Sequence, residues 1–198
     1  MQLLTCKIVG VAPLLMHNGL LADPAYSWTL KMKEVTSKRK KSAADYDEMA
    51  RIEWNGSLYL LEGAPCIPGV VLEGALLGRG GAARTEKMGK VAAASMRVMK
   101  DFPLIYEGPS DLVELWNDPE FRFQAMVKVQ MARVKRTRPM FKEWAAFIEI
   151  EYDEDFIDAS ILERWLIIAG KQVGLMDWRP KYGRFKVEQI VHNSLELD

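Results

Sequence analysis

Residues 121–142 read FRFQAMVKVQMARVKRTRPMFK, with seven basic side chains (Arg122, Lys128, Arg133, Lys135, Arg136, Arg138 and Lys142) and no acid. In the first half, Val127, Val129 and Met131 alternate with Lys128 and Gln130, the period of a half-buried strand. The alternation gives way over Arg133 to Arg138 and stops at Pro139, which places the basic cluster at a strand end or hairpin tip. Phe141 and Trp144 stand at its base. Such a projecting cationic hairpin, spanning 121–145, suits a polyanion, because basic side chains neutralise phosphates and rings stack on bases. A solvated edge strand also carries charge to discourage aggregation, but usually mixes in acids.

The rest of the chain bounds this reading. Its 198 residues allow one domain with a sizeable insertion, and an apolar fraction of 49% is ample for a core. Two cysteines, Cys6 and Cys66, are too few for a disulfide framework, and a reduced, cytoplasmic protein is expected. The two histidines are scattered, so neither a metal site nor a cofactor is expected. No apolar run approaches a membrane span, and the N-terminal MQLLTCKIVG lacks the order of a secretory signal.

Lys and Arg number 27, as do Asp and Glu, but the charges are segregated. Residues 101–120 carry six acids and no Lys or Arg, and residues 143–163 carry eight acids and a base-free run, with the basic stretch between them. A cationic groove on a molecule that is acidic elsewhere fits this pattern. It also suits head-to-tail stacking of identical subunits, basic face on acidic face.

Along the chain, 3–11 reads as a strand with Leu4, Cys6 and Ile8 on one face. Residues 28–51 read as a flexible basic loop before a short helix, with Lys38, Arg39, Lys40 and Lys41 as a second phosphate-contacting element or a solvated loop. IEWNGSLYLL at 52–61 predicts a hairpin around Asn55-Gly56. After Ile67-Pro68-Gly69 a helix begins, with Val71, Leu72, Ala75 and Leu76 as its apolar stripe. Gly69, Gly74 and Ala75 allow close approach to its backbone. GRGG at 78–81 lacks the Gly-Lys-Ser/Thr ending of a phosphate-binding P-loop and reads as a helix exit. Arg79 and Arg84 beside those glycines would serve a backbone-tracking groove.

AFIEIEY at 146–152 alternates as a strand, with Ile148 and Ile150 inward. Residues 158–170 form the clearest helix, with Asp158 as its cap and Gly170 as its end. Residues 184–191 are a last strand, introduced by a third cluster of rings and bases, in which Lys181 and Arg184 are expected to contact phosphates and Trp178 to stack on a base. Without insertions the order is βαββαβ, which predicts an α+β fold with a ferredoxin-like or RNA-recognition core. A basic insertion at 24–64 and the projecting hairpin interrupt the single domain, 1–198.

At Ile67-Pro68-Gly69-Val70-Val71-Leu72-Glu73-Gly74-Ala75-Leu76-Leu77 the sequence resembles the RAMP superfamily, in particular the backbone subunits of CRISPR effector complexes. Those proteins open the first helix of a modified RNA-recognition fold with a similar Pro-Gly entry. The resemblance extends to an apolar first strand, a central basic hairpin (the family's thumb) and a Gly-rich approach to the last strand. It implies a non-catalytic subunit that polymerises on guide RNA, alone or with other effector subunits. Gly69, Val70 and Glu73 at the helix entry and Arg133, Lys135, Arg136 and Arg138 on the hairpin would line the RNA. It also implies a test of Asp23, since in some relatives an aspartate after the first strand cleaves target RNA, although no metal ligand or base stands near Asp23.

Two other readings compete. A phage-type single-stranded DNA-binding or recombination protein would use the same cations. A metal-independent RNA-processing endonuclease would need a base near the scissile 2′-hydroxyl, for which His17 with Lys181 and Tyr182 is the constellation at hand.

Overall fold

Alternation places Leu4, Cys6 and Ile8 on one side of the first strand, β1 (Gln2–Gly10), and each is at most 1% exposed. The computed structural model describes residues 1–129 and 131–194. The alternation expected at Gln130 lies outside the described residues, as does the side chain of Val129.

After β1 come β2 (Leu14–Leu15), α1 (Ser27–Thr36), α2 (Ala43–Ser57), β3 (Leu60–Leu61) and β4 (Ala64–Ile67). Helices α3 (Gly69–Leu77), α4 (Ala82–Thr85) and α5 (Gly89–Ser95) lead to β5 (Met96–Arg97), β6 (Phe102–Pro103) and α6 (Leu112–Asn117). The chain closes with β7 (Arg122–Val129), β8 (Ala132–Phe141), β9 (Ala145–Tyr152), α7 (Ala159–Ile168) and β10 (Phe185–Ser194). The fold is α+β, and the chain divides into two units.

The sheet unit comprises Met1–Leu14, Leu60–Glu107 and Glu143–Asp198. Its four-stranded sheet has the order β10-β1-β9-β5, and every neighbouring pair is antiparallel. From β9, Ile148, Ile150 and Tyr152 join the buried side of β1. Leu72, Ala75 and Leu76 of α3 and Leu162, Trp165 and Leu166 of α7 complete this core, all fully buried. Each large apolar side chain buried in this way contributes about 1.5–3 kcal/mol.

At the end of β1, Gly10 lies flat against Trp144. The indole Nε1 donates to the Ala12 carbonyl at 2.9 Å, and a Cβ on Gly10 would come within 2.2 Å of the ring. Gly10→Ala is therefore expected to destabilise the protein by about 1–3 kcal/mol through overpacking. Gly74→Ala, inside α3 with nothing within 4 Å of the new Cβ, should stabilise it by roughly 0.5–1 kcal/mol. Urea-unfolding midpoints check both, and midpoints that move in the same direction would contradict the packing described.

The hairpin unit comprises Leu15–Tyr59 and Gly108–Lys142. It joins the two basic segments that the sequence suggested separately. Helices α1 and α2 form a helical pair, so most of 28–51 is helix and the expected flexible loop shrinks to the connection at 37–42. Ser42 starts α2 with a reciprocal capping box to Asp45, satisfying donors that a helix start leaves open. Asn55-Gly56 is not a turn but lies within α2. A Cβ on Gly56 would come within 2.8 Å of both Leu21 and Trp28, so this glycine lets α2 approach the start of α1. The hairpin turn is instead Glu62-Gly63 in the sheet unit, where φ of 52° and 85° link β3 to β4.

Two further expectations change. Pro139 lies within β8, opposite Arg122, rather than ending the strand. The Thr137 N–H points away from β7, to Glu53, and Pro139 two residues on has the same orientation. Its missing N–H therefore removes no rung of the β7–β8 ladder. Gly170 does not end the helix after α7 either. The helix continues through a π turn, Ala169–Val173, to Gly174 at φ 75°, while Gly170 packs against the Phe185 carbonyl.

Candidate nucleic-acid interface

Direct partners in an antiparallel pair project to the same face. Lys128 is opposite Arg133, and Met126 is opposite Lys135. All four are exposed, so three cations share one face of the hairpin. None of the three has a carboxylate partner among the described residues. Like charges directly opposite each other destabilise a sheet, and an anion bound across them offsets that cost.

The other basic residues of the stretch are engaged. Glu53 on α2 is 7% exposed and accepts from Arg138 Nη1 at 2.6 Å, from the Thr137 backbone at 2.8 Å and from Arg136 Nη1 at 3.1 Å. Arg138 is 8% exposed and fastens the strand to the helix; it does not line an open RNA surface. The Arg136 side chain, 38% exposed, keeps part of its guanidinium outward. Arg122 stacks over Trp116 at 4.9 Å, and Lys142 pairs with Glu120. Phe141 and Trp144 are buried, which removes both from stacking on a base.

Between β8 and the helical pair lies an open cleft of about 410 Å³. Arg133, Lys135 and Arg136 form its strand side, and Met32, Tyr46 and Met49 stand on its helix side. Tyr46, Met49, Ala50 and Glu53 follow the i, i+3, i+4, i+7 spacing of one helical face. Tyr46 is 59% exposed, a ring beside cations that the sequence reading missed although this spacing could have revealed it. The Lys38–Lys41 turn joins the same two helices. Lys38 is held by Asp45 at 2.5 Å, and Lys41 donates to the Lys38 carbonyl, while Arg39 and Lys40 stay exposed. The bond from Lys38, followed by those from Ser42, holds the Asp45 carboxyl well below the usual carboxylate range.

In the sheet unit the expected residues divide differently. Gly69 is buried, donates its N–H to Asp101, and would place a Cβ 2.4 Å from the Lys100 carbonyl. The close approach there is the chain's own. Glu73 accepts from the Val98 backbone at 3.1 Å, which leaves Val70, 77% exposed, as the open position of the helix entry. Arg84 caps the Leu77 carbonyl at 3.1 Å, Arg79 is exposed, and Lys181 lies over Tyr182 at 5.5 Å. Arg184 lines a separate cleft of this unit. The outward face of the four-stranded sheet carries Glu149, Glu151 and Glu188 together with Lys7, Arg97 and Lys186, and Glu149 and Glu188 pair with Lys100 and Lys186, so its charges largely offset one another.

Groups suited to covalent or acid–base chemistry are engaged elsewhere. Burial, with a smaller push from Glu163, raises the Cys6 thiol to about 12, and burial with Asp101 raises Cys66 to about 11. Both are protonated and inert at neutral pH. Asp23 accepts from the Ala25 backbone in a tight turn. His17 belongs to the hairpin unit, whereas Lys181 and Tyr182 belong to the sheet unit. Tyr152, His192 and Glu163 form a chain of hydrogen bonds at 2.9 and 2.8 Å that ties β9, β10 and α7 together around a fully buried tyrosine.

Among the described residues no group of three or more His, Cys, Asp or Glu is placed to hold a metal ion, and no helix is long and apolar enough to cross a membrane. No protein-family model matches the chain, and no curated protein matches it.

Proposed function

We propose that this protein binds single-stranded nucleic acid, most specifically RNA, through its hairpin unit, and assembles along that ligand as a non-catalytic subunit. The observation that carries the reading is the set of Lys128, Arg133 and Lys135 on one hairpin face, without carboxylate partners among the described residues and beside a cleft displaying Tyr46. Cations supply sequence-independent affinity for phosphates, and an exposed ring accepts any base by its face.

The strand order β10-β1-β9-β5 supports reading the sheet unit as a ferredoxin-like βαββαβ core, with α3–α5 and α7 as its two crossovers. That core, the Pro68-Gly69 helix entry and the basic hairpin together favour a relative of the RAMP backbone subunits. The sheet face offsets its cations with carboxylates of its own, whereas Lys128, Arg133 and Lys135 have none among the described residues, which favours RNA held by the hairpin rather than laid across the sheet. Segregated charge also favours head-to-tail assembly of subunits.

Fluorescence anisotropy with labelled RNA and DNA oligonucleotides of increasing length tests this reading. Affinity should rise with length and favour RNA, and Tyr46→Ala should weaken binding by about 1–3 kcal/mol, the worth of a stacked base. Stronger binding to DNA would transfer the ligand to a single-stranded DNA. Polyglutamate competing as well as RNA, with no dependence on length, would sink the nucleic-acid reading.

A further inference from the structure

The sheet unit has a cleft of its own, about 410 Å³, where α7 runs out beside the first residues of β10. Its floor is aliphatic: Val11 and Ile167 are 55% and 42% exposed, with Val187 beside them. Three cations line it, Lys171 from the π turn, Arg184 just before β10 and Lys186 within it. Lys186 is paired with Glu188 at 2.7 Å, whereas Lys171 and Arg184 have no carboxylate partner among the described residues.

The cleft is rigid. The Val11 N–H donates to the Arg184 carbonyl at 2.9 Å, and the Gly183 N–H donates to the Pro13 carbonyl at 2.8 Å. A Cβ on Gly170 would come within 2.3 Å of the Phe185 carbonyl, so the π turn and β10 are in direct contact. A preformed apolar floor lowers the entropic cost of binding.

We propose that this cleft docks an acidic peptide segment of a partner protein, with one bulky apolar side chain on the floor and flanking carboxylates on Lys171 and Arg184. Three features favour a peptide over an oligonucleotide. The exposed floor is aliphatic and its one ring, Phe185, is buried at 2% exposure, so it offers a leucine or phenylalanine side chain a seat but a base no ring face to stack on. The two unpaired cations match carboxylates on either side of such an anchor. Among the described residues β10 also has a strand neighbour on one side only, so backbone groups at its other edge can receive a second chain by strand addition. Arg184, suggested by the sequence as a phosphate contact, is thereby assigned to protein recognition.

The test uses the full chain and a short labelled peptide of Asp and Glu around a central Leu-Phe pair, followed by anisotropy and amide chemical shifts. The peptide should bind and shift the amides of Val11, Ile167 and Val187. Lys171→Glu combined with Arg184→Glu, both at exposed positions, should weaken it about tenfold or more, while RNA binding through the hairpin unit stays unchanged. Ile167→Lys should weaken it as well. Absence of peptide binding overturns the proposal. So does equal binding of a peptide with alanines in place of the Leu-Phe pair, which would reduce the cleft to bulk charge. An RNA oligonucleotide displacing the peptide and losing affinity in the Ile167→Lys variant would also overturn it.

Discussion

Glu53→Ala is expected to destabilise the hairpin unit by about 3–5 kcal/mol, the cost of stranding a buried charge without its partner. Arg138 would be left 8% exposed with its carboxylate gone, and the Thr137 N–H would lose its acceptor. The comparison that matters is with Glu53→Gln, which keeps the side-chain shape and an oxygen for the Thr137 N–H but removes the charge; it should fall between wild type and alanine. Replacing Glu53, Arg136 and Arg138 together by apolar residues of similar size should recover much of the loss, since a removed ion pair costs far less than a broken one. Denaturant unfolding reads all three. If Glu53→Ala left the midpoint unchanged, the carboxylate would not be the fastening of α2 to β8.

Neutralising Lys128, Arg133 and Lys135 together has a different expected result: stability is held and binding is lost. Each phosphate contact on a single strand contributes about 0.7 to the logarithmic salt slope, so three lost contacts should reduce it by about 2. At ~0.1 M salt the same term lowers affinity about a hundredfold, by a similar factor for every sequence. A titration over a series of salt concentrations measures both quantities. An unchanged slope would remove this hairpin face from the interface. The choice of residues is decisive here, because a variant that included Arg138 would lose binding through unfolding and look the same.

The sequence made local periodicity legible and left long-range partnership hidden. Strands β1 and β9 and helix α7 follow from alternation and helical spacing, because their buried faces repeat regularly along the chain. The basic hairpin followed from its charge. Asn55-Gly56 misled because a glycine chosen for close helix packing has the same letter as one chosen for a turn. Arg136 and Arg138 looked equivalent to Arg133 and Lys135 because Glu53 stands 83 and 85 residues away from them. Trp144 looked like a stacking ring beside the bases, yet its partner is Gly10 at the other end of the chain. Tyr46 was legible as one position of a helical face, but Asp45, Asp47 and Glu48 around it give that turn the composition of a solvated helix.

The separation between Glu53 and its arginines also sets a clock on the ribosome. Helix α2 leaves the exit tunnel long before β8 exists, and its carboxylate must wait for partners up to 85 residues downstream. At ~5–20 residues per second that interval is roughly 4–17 s. During it, Tyr46, Met49 and Trp54 belong to a helix with no strand to cover it. A pause in translation placed between α2 and β7 would lengthen that exposure, whereas one placed after β8 has cleared the tunnel would not.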